Sequence, residues 1–293
     1  MLTYKKKLRF IVNPISGIGK QRIVEDLLYR YLDHQLFDYE ICYTKAPLHA
    51  IDLSREAALF NYYAVVAVGG DGSVNEVAQG LLHSATFLAI LPCGSGNGLA
   101  RNLNIPLDLI EAIKKINSHS IINMDAGKFG NRYFFNVCGI GFDGHVSNVF
   151  SKNKKRGFST YIKVVIKEVF NYKKLKAFFR NDYTEFSAAR ILNSICIGTQ
   201  YGNNFYISPN SKVDDGFFEL VMIDKLIWYK LPALVYYAFT NKIYRSTLVK
   251  INSYTSLHVS GNNLECHVDG EPFVLNECSM DITIEEKALK VLV

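Results

Sequence analysis

Up to about residue 116 the apolar positions of the chain alternate between two periods. Short β-rich runs occupy residues 8–12, 39–43, 63–68 and 87–91. Between them apolar side chains recur at helical spacing, as in Ile23, Leu27, Leu28, Tyr31 and Leu32, or Ile51, Ala57 and Ala58. Strands that are nearly all apolar, joined by helices, predict a doubly wound parallel sheet covered on both faces, which binds its ligands at the carboxyl ends of the strands. Three special loops fall at those ends: "NPISGIGK" (13–20), "GGDGSVNEV" (69–77) and "PCGSGNGLAR" (92–101). After about residue 123 the pattern changes. "RYFFNVCGIGFD", "NSICIGTQYG", "GFFELVMID", "TSLHVSGNNLECHVDG" and "SMDITIEE" read as consecutive strands with Gly, Asn and Asp turns, an antiparallel β domain interrupted by helical candidates at 159–171 and 226–244. The fold class expected is α/β with two domains, 1–123 and 124–286, meeting near residues 122–125.

A chain of 293 residues, 49% hydrophobic, is long enough for one large or two ordinary cores. The net charge of +6 is spread along most of the sequence, which argues against nucleic-acid coating and for a mild attraction to anionic surfaces. Six scattered cysteines without a C-x-x-C pair read as buried thiols of a reducing compartment. The apolar stretch at 8–12 is interrupted by Arg9 and stopped by Asn13 and Pro14, too short for a signal-peptide core, and no window reaches membrane-spanning length. A cytoplasmic, soluble protein able to touch a membrane is expected.

"GGDGSVNEV" poses a chemical question. Gly69, Gly70 and Gly72 suit a loop whose amides approach a phosphate, yet Asp71 and Glu76 bring negative charge to it. A nucleotide triphosphate with a divalent cation resolves the conflict, because a carboxylate beside the phosphates is favourable across Mg²⁺ or an ordered water. Asp71 then holds the metal–phosphate assembly and Asn75 fixes the loop. Glu76, in the first turn of the following helix, fits a capping-region carboxylate equally well. "NPISGIGK" is not a P-loop, since Pro14 stands where the first Gly belongs and Gln21 follows Lys20; a plain strand-to-helix turn is its simple alternative.

The three loops resemble the signatures of the diacylglycerol-kinase catalytic domain, shared by bacterial soluble lipid kinases, sphingosine kinases and ceramide kinases. "FFNVCGIGFDG" (134–144), "YGNNFYISPNSKVDDGFFEL" (201–220) and "HVDGEPF" (267–273) continue the likeness over nearly the whole chain. The resemblance implies an ATP-binding, NAD kinase-like α/β domain, a lipid-binding β-sandwich, and a return of residues 287–293 to the first domain. It implies that Asn13, Thr44, Gly69, Gly70, Asp71, Gly72, Ser73, Asn75, Glu76, Gly94, Ser95 and Asn97 attend the nucleotide. Asp269 becomes the general base, supported by Glu271; without the resemblance "DG" reads as a hairpin turn. His267 lies two residues upstream, faces the same way by alternation, and reads as an ordinary strand histidine. In "KVDDGFF" a structural Mg²⁺ is implied on Asp215 and the carbonyls of Lys212 and Phe217, against a solvated turn.

The expected function is an ATP- and Mg-dependent lipid kinase, with diacylglycerol as first acceptor and a sphingoid base or ceramide as second, toward which "GSGNGLA" leans. NAD kinase and a silent lipid-sensing regulator are the alternatives. Expected partners are ATP and a lipid at the membrane surface, with peripheral membrane contact, no nucleic acid, and a homodimer admitted. The basic and aromatic stretch 151–180, with Lys152, Lys154, Lys155 and Arg156, is the candidate membrane contact, or else a solvated helix.

Overall fold

The computed structural model describes residues 5–15, 23–118, 120–153, 158–172, 177–181, 185–188, 191–223, 227–276 and 278–293. The chain divides into two compact units, Met1–Met124 with Lys287–Val293, and Asp125–Glu286.

The first unit runs β1 (Lys6–Val12), α1 (Val24–Tyr31), β2 (Phe37–Tyr43), α2 (His49–Leu59), β3 (Ala64–Gly69), α3 (Asp71–Leu81), β4 (Phe87–Pro92), α4 (Gly98–Asn102) and α5 (Leu109–Ser118). Its strands are parallel in the order β2-β1-β3-β4, with Leu8 opposite both Tyr39 and Ala64, and Ala64 opposite Phe87. Every residue of β3, "AVVAVG", is buried, because helices cover both faces and no polar alternation is tolerated. Arg9 is the exception in β1: its guanidinium is buried but bonds Glu40 at 2.5 Å and the Leu53 carbonyl at 2.9 Å, under the ring of Tyr62. The winding reverses between β1 and β3, the place where open sheets of this kind bind ligands. The last strand of the chain, running from Cys278 to Leu292, pairs Val291 with Leu88 beside β4.

The second unit begins within β5 (Ile121–Phe129) and continues through β6 (Arg132–Phe134), β7 (Val137–Gly141), α6 (Phe142–Ser151), α7 (Phe158–Asn171), β8 (Ala177–Arg180), β9 (Glu185–Ala188), β10 (Leu192–Cys196), β11 (Phe218–Ile223), α8 (Leu231–Phe239), β12 (Val249–Tyr254), β13 (Ser256–Gly261), β14 (Leu264–Val268), β15 (Glu271–Leu275) and the first part of β16 (Cys278–Leu292). Six strands form an antiparallel sheet, β12-β11-β10-β7-β14-β15. A second layer pairs β9, β8, β13 and β16 antiparallel. Phe129, Phe134, Phe179, Val259 and Ile282 of one layer pack on Ile140, Ile195, Phe218, Leu220 and Cys266 of the other. Strand parity sorts the rest: Val137, Cys196, Val221 and Ile223 point to the opposite face, where Leu234 and Ala238 of α8 cover them.

Two elements differ from the sequence pattern. The strand expected through Asp143 ends at Gly141, whose φ of +87° turns the chain into α6. The single helix expected over 226–244 is a 3-10 turn at Trp228–Lys230, α8, and a 3-10 turn at Ile243–Arg245. Pro232 belongs in the first turn of α8, where its missing N–H is harmless, and Asn241, at a φ of +60°, stops the helix in the left-handed region.

Candidate functional site

In the first unit the strand ends gather the predicted loops at one sheet edge. The Asn13 and Thr44 amides bond the Val68 and Val12 carbonyls, and the Cys93 amide bonds Gly69. Gly70 and Gly94 then meet backbone to backbone: a Cβ on Gly94 would stand 2.5 Å from the Gly70 Cα. Only a pair without side chains permits that approach. Gly70 is the N-cap of α3 and has no side chain with which to cap it, so the positive end of the helix dipole at this sheet edge favours an anion.

The carboxylate of Asp71 accepts the Gly98 amide at 2.6 Å, tying the "GGDG" loop to the start of α4. Asn97 is left-handed, at φ +51°, and folds its amide back on Gly94, accepting from the Gly94 N–H and donating to the Gly94 carbonyl, both at 2.9 Å. Asn13 donates to Ser73 Oγ at 3.4 Å and accepts from the Ile15 amide at 3.0 Å. Ser95 is exposed at the loop tip. Asn75 is buried and accepts from Gln79 at 2.6 Å. Glu76 bonds elsewhere: its carboxylate accepts the Ala50 amide at 3.3 Å and so caps α2 rather than its own helix. Residues 16–20 of the first loop lie outside the described residues.

In the second unit Asp269 and Gly270 form the turn between β14 and β15, with φ of +46° and +91°. A two-residue hairpin turn of type I′ needs both values positive. The left-handed conformation throws the Asp269 carboxylate out of strand alternation and onto the approach to β7. There the Phe135 amide donates to Oδ2 at 2.8 Å, and the Asn136 and Val137 amides donate to Oδ1 at 2.9 and 3.0 Å. Backbone donors therefore orient Asp269. Glu271 is exposed at the start of β15 and makes no hydrogen bond to it among the described residues.

His267 does not share the direction of Asp269, as alternation had suggested. Its Nε2 faces Asp143 Oδ2 at 3.1 Å, and its Nδ1 accepts the Gly270 amide at 3.2 Å, which places the ring proton on Nε2. Asp143 also accepts from Ser194 at 3.0 Å and from the Tyr201 hydroxyl. Burial pushes the Asp143 carboxyl up, and charge attraction to His267 together with the bonds from His267, Tyr201 and Ser194 outweighs it, leaving it below the ordinary carboxylate value. Ser147 of α6 donates to the Gly270 carbonyl at 2.6 Å. This network braces the Asp269 turn from behind. Sequence reasoning passed over Asp143, Ser194 and Tyr201; the available signal was an acid inside the apolar run "GIGFDG".

The "KVDDGFF" turn is latched by a residue the sequence reading used only as a boundary. Buried Asp125 accepts the Gly216 amide at 2.7 Å, and its own amide donates to the Val213 carbonyl at 2.7 Å. Asp215 is exposed and accepts the Phe217 amide at 3.2 Å. Among the described residues no group of three His, Cys, Asp or Glu side chains is placed to hold a metal ion. A cation here would thus draw on peptide carbonyls and water beside the Asp215 carboxylate, an all-oxygen set that suits Mg²⁺. Of the basic stretch, residues 154–157 and 173–176 lie outside the described residues.

A parallel α/β sheet followed by an antiparallel sandwich is an NAD kinase-like fold. Residues 7–129 match the diacylglycerol kinase catalytic domain family, and residues 136–293 match the YegS C-terminal NAD kinase beta sandwich-like domain. The chain belongs to this diacylglycerol kinase family and is a kinase with an alcohol group as acceptor. It is 27% identical over 275 residues to a diacylglycerol kinase of Staphylococcus aureus, spanning 91% of this chain and 86% of that one. A crystal structure of a diacylglycerol kinase from Bacillus anthracis has the same fold, with a TM-score of 0.74 at 21% identity over 100% of this chain and 98% of that one. An NAD kinase from Archaeoglobus fulgidus, solved with ATP, is similar at a TM-score of 0.52 and 14% identity, covering 98% and 93% of the two chains. No described helix is long and apolar enough to cross a membrane.

Proposed function

We propose that this kinase transfers the γ-phosphate of ATP to the hydroxyl of diacylglycerol, forming phosphatidic acid and ADP. The observation that carries the nucleotide side is the Gly70–Gly94 backbone contact at the N-terminus of α3, where the absence of side chains leaves room for a polyphosphate at the positive end of the helix. Around it Asn13, Thr44, Ser73, Gly94, Ser95 and Asn97 line the nucleotide, Gly69, Gly70 and Gly72 offer amides, and Asn75 keeps the loop in shape. Mg²⁺ bound with ATP neutralises phosphate charge. Asp71 holds that assembly while anchored by the Gly98 amide.

On the acceptor side, the lipid hydroxyl oxygen attacks the γ-phosphorus, the bond to the β-phosphate oxygen breaks, and Asp269 takes the hydroxyl proton. The three amides on its carboxylate fix the direction from which it accepts. Glu271, exposed beside it, acts on the acceptor or through water rather than by holding Asp269. Asp215 and the Lys212 and Phe217 carbonyls would hold a structural Mg²⁺, which would stiffen the turn that Asp125 latches.

The test is incubation with γ-labelled ATP, Mg²⁺ and a total lipid extract, identifying which lipid gains phosphate. Label in phosphatidic acid supports the reading. Label in a sphingoid-base or ceramide phosphate moves the acceptor to the second choice, and label in no lipid overturns the proposal.

A further inference from the structure

The outer face of α8 has the wrong chemistry for water. Surface helices show solvent a polar face, as α1 does with Glu25, Asp26 and Arg30. The positions that α8 exposes are Pro232, Ala233, Val235, Tyr236 and Phe239, none of them charged. Val235 is 47% exposed and Tyr236 60%, and the flanking 3-10 turns add Tyr229 at 62% and Tyr244 at 52%. The helix is anchored from below by Leu234 and Ala238, so this outward face is its second apolar side and not a misplaced core.

Charge points to the partner. From Ile227 to Leu264 the sequence holds Lys230, Lys242, Arg245 and Lys250, and no Asp or Glu. An apolar face rich in tyrosine, flanked in sequence by Lys230, Lys242 and Arg245, complements a bilayer surface with anionic headgroups, where aromatic rings settle at the boundary and each Lys or Arg adds attraction. On α7, Lys163 and Lys167 are exposed on either side of Ile166.

A row of rings leads inward from the same face. Phe239 meets Phe205 at 5.4 Å between centroids, Phe205 meets Tyr201 at 6.2 Å, and Tyr201 meets His267 at 6.5 Å. His267 bonds Gly270 of the Asp269 turn. We propose that α8 and its flanking turns are the surface by which this protein docks on an anionic lipid bilayer. The proposal deepens the lipid-kinase reading, on which it rests for the reason a bilayer is approached, by naming the face that meets it.

Cosedimentation of the full chain, without nucleotide, with vesicles of phosphatidylcholine alone or in equal parts with phosphatidylglycerol tests it. The parent should bind the anionic vesicles and lose binding as salt rises. Val235→Ser with Tyr236→Ser should weaken that binding about tenfold or more, since each buried apolar side chain is worth roughly that factor. Lys242→Glu with Arg245→Glu should also weaken it by about tenfold or more, with little change on phosphatidylcholine alone. Lys163→Glu with Lys167→Glu on α7 should stay within about twofold of the parent. Unchanged thermal melts would exclude misfolding of these surface variants. The proposal is overturned if the parent ignores anionic vesicles, if the α8 pairs bind as the parent does, or if the α7 pair carries the loss. It is also overturned if the α8 pairs dissolve a dimer in sedimentation velocity, because a second copy then covers the face. Vesicle binding that persists in a protein transferring no phosphate would sustain the docking and sink the kinase reading.

Discussion

Asp269 takes three amide donors on its carboxylate, so its replacement carries a structural and a chemical consequence that must be read separately. Asparagine keeps the volume, but one carboxylate oxygen becomes an NH₂ group set against a backbone N–H. Leaving such a donor unmatched costs about 1–3 kcal/mol. Asp269→Asn should therefore lower the melting temperature, and, corrected for the folded fraction, should slow phosphate transfer by about 10²–10⁴ while sparing nucleotide affinity. Single-turnover kinetics with a soluble short-chain lipid give the rate, and nucleotide titration gives the affinity. A variant that transfers at the parental rate per folded molecule would leave Asp269 as a turn residue alone.

At the scale of elements, α6 is the part that joins most to its neighbours. Strand parity puts Leu264, Cys266 and Val268 of β14 in the sandwich core and leaves Glu265 and His267 to face α6. Gly144 permits the close approach, since a Cβ there would lie 2.2 Å from the Glu265 carbonyl. His145 of α6 bridges Glu265 of β14 at 2.8 Å and Glu168 of α7 at 3.0 Å, with Tyr172 against its ring, Asn148 on Glu265 and Lys167 beside Glu168. Burial pulls the imidazolium down, and the two carboxylates outweigh it, raising the His145 value above 6.5. A raised folded value stabilises at low pH: the contribution is full below the unfolded value and is lost as pH rises through the folded one. The melting-temperature gap between the parent and His145→Gln should accordingly be widest near about pH 5 and should close toward about pH 9. A gap independent of pH would mean that packing alone, not the charged bridge, holds α7.

For the whole molecule, the two predicted metal roles fall in different units and are separable. Asp71→Asn can still accept the Gly98 amide, so folding should stay near parental while the Mg²⁺ dependence of transfer moves to higher concentration. Equal Mg²⁺ titrations for variant and parent would remove Asp71 from the metal. A structural cation at the 212–217 turn stabilises by mass action, so Mg²⁺ without nucleotide should raise the parental melting temperature and should leave Asp215→Ala unmoved. If both proteins ignore Mg²⁺, the turn is held by hydrogen bonds such as those of Asp125 and Asp215 and not by a cation.

What the sequence determined by itself was whatever local pattern controls. A short, fully apolar, valine-rich run such as "AVVAVG" bounded by glycines reads as a central strand of a covered parallel sheet, and alternation in "LECHV" reads as a strand with two different faces. Glycine clusters at the strand ends marked the loops for the same reason, because backbone must approach backbone there. Tertiary structure decided the partners of polar side chains. That Glu76 caps α2, that Asp125 latches Gly216, and that Asp143 joins His267, Ser194 and Tyr201 depends on contacts between residues 26, 91, and 51 to 124 positions apart. It also decided backbone breaks that periodicity does not see: Gly141 turning β7 into α6, and Asn241 ending α8. Hydrophobic period reports which face is buried, but a hydrogen bond is chosen by whichever donor the folded chain brings within 3 Å or so, and that choice is written only in three dimensions.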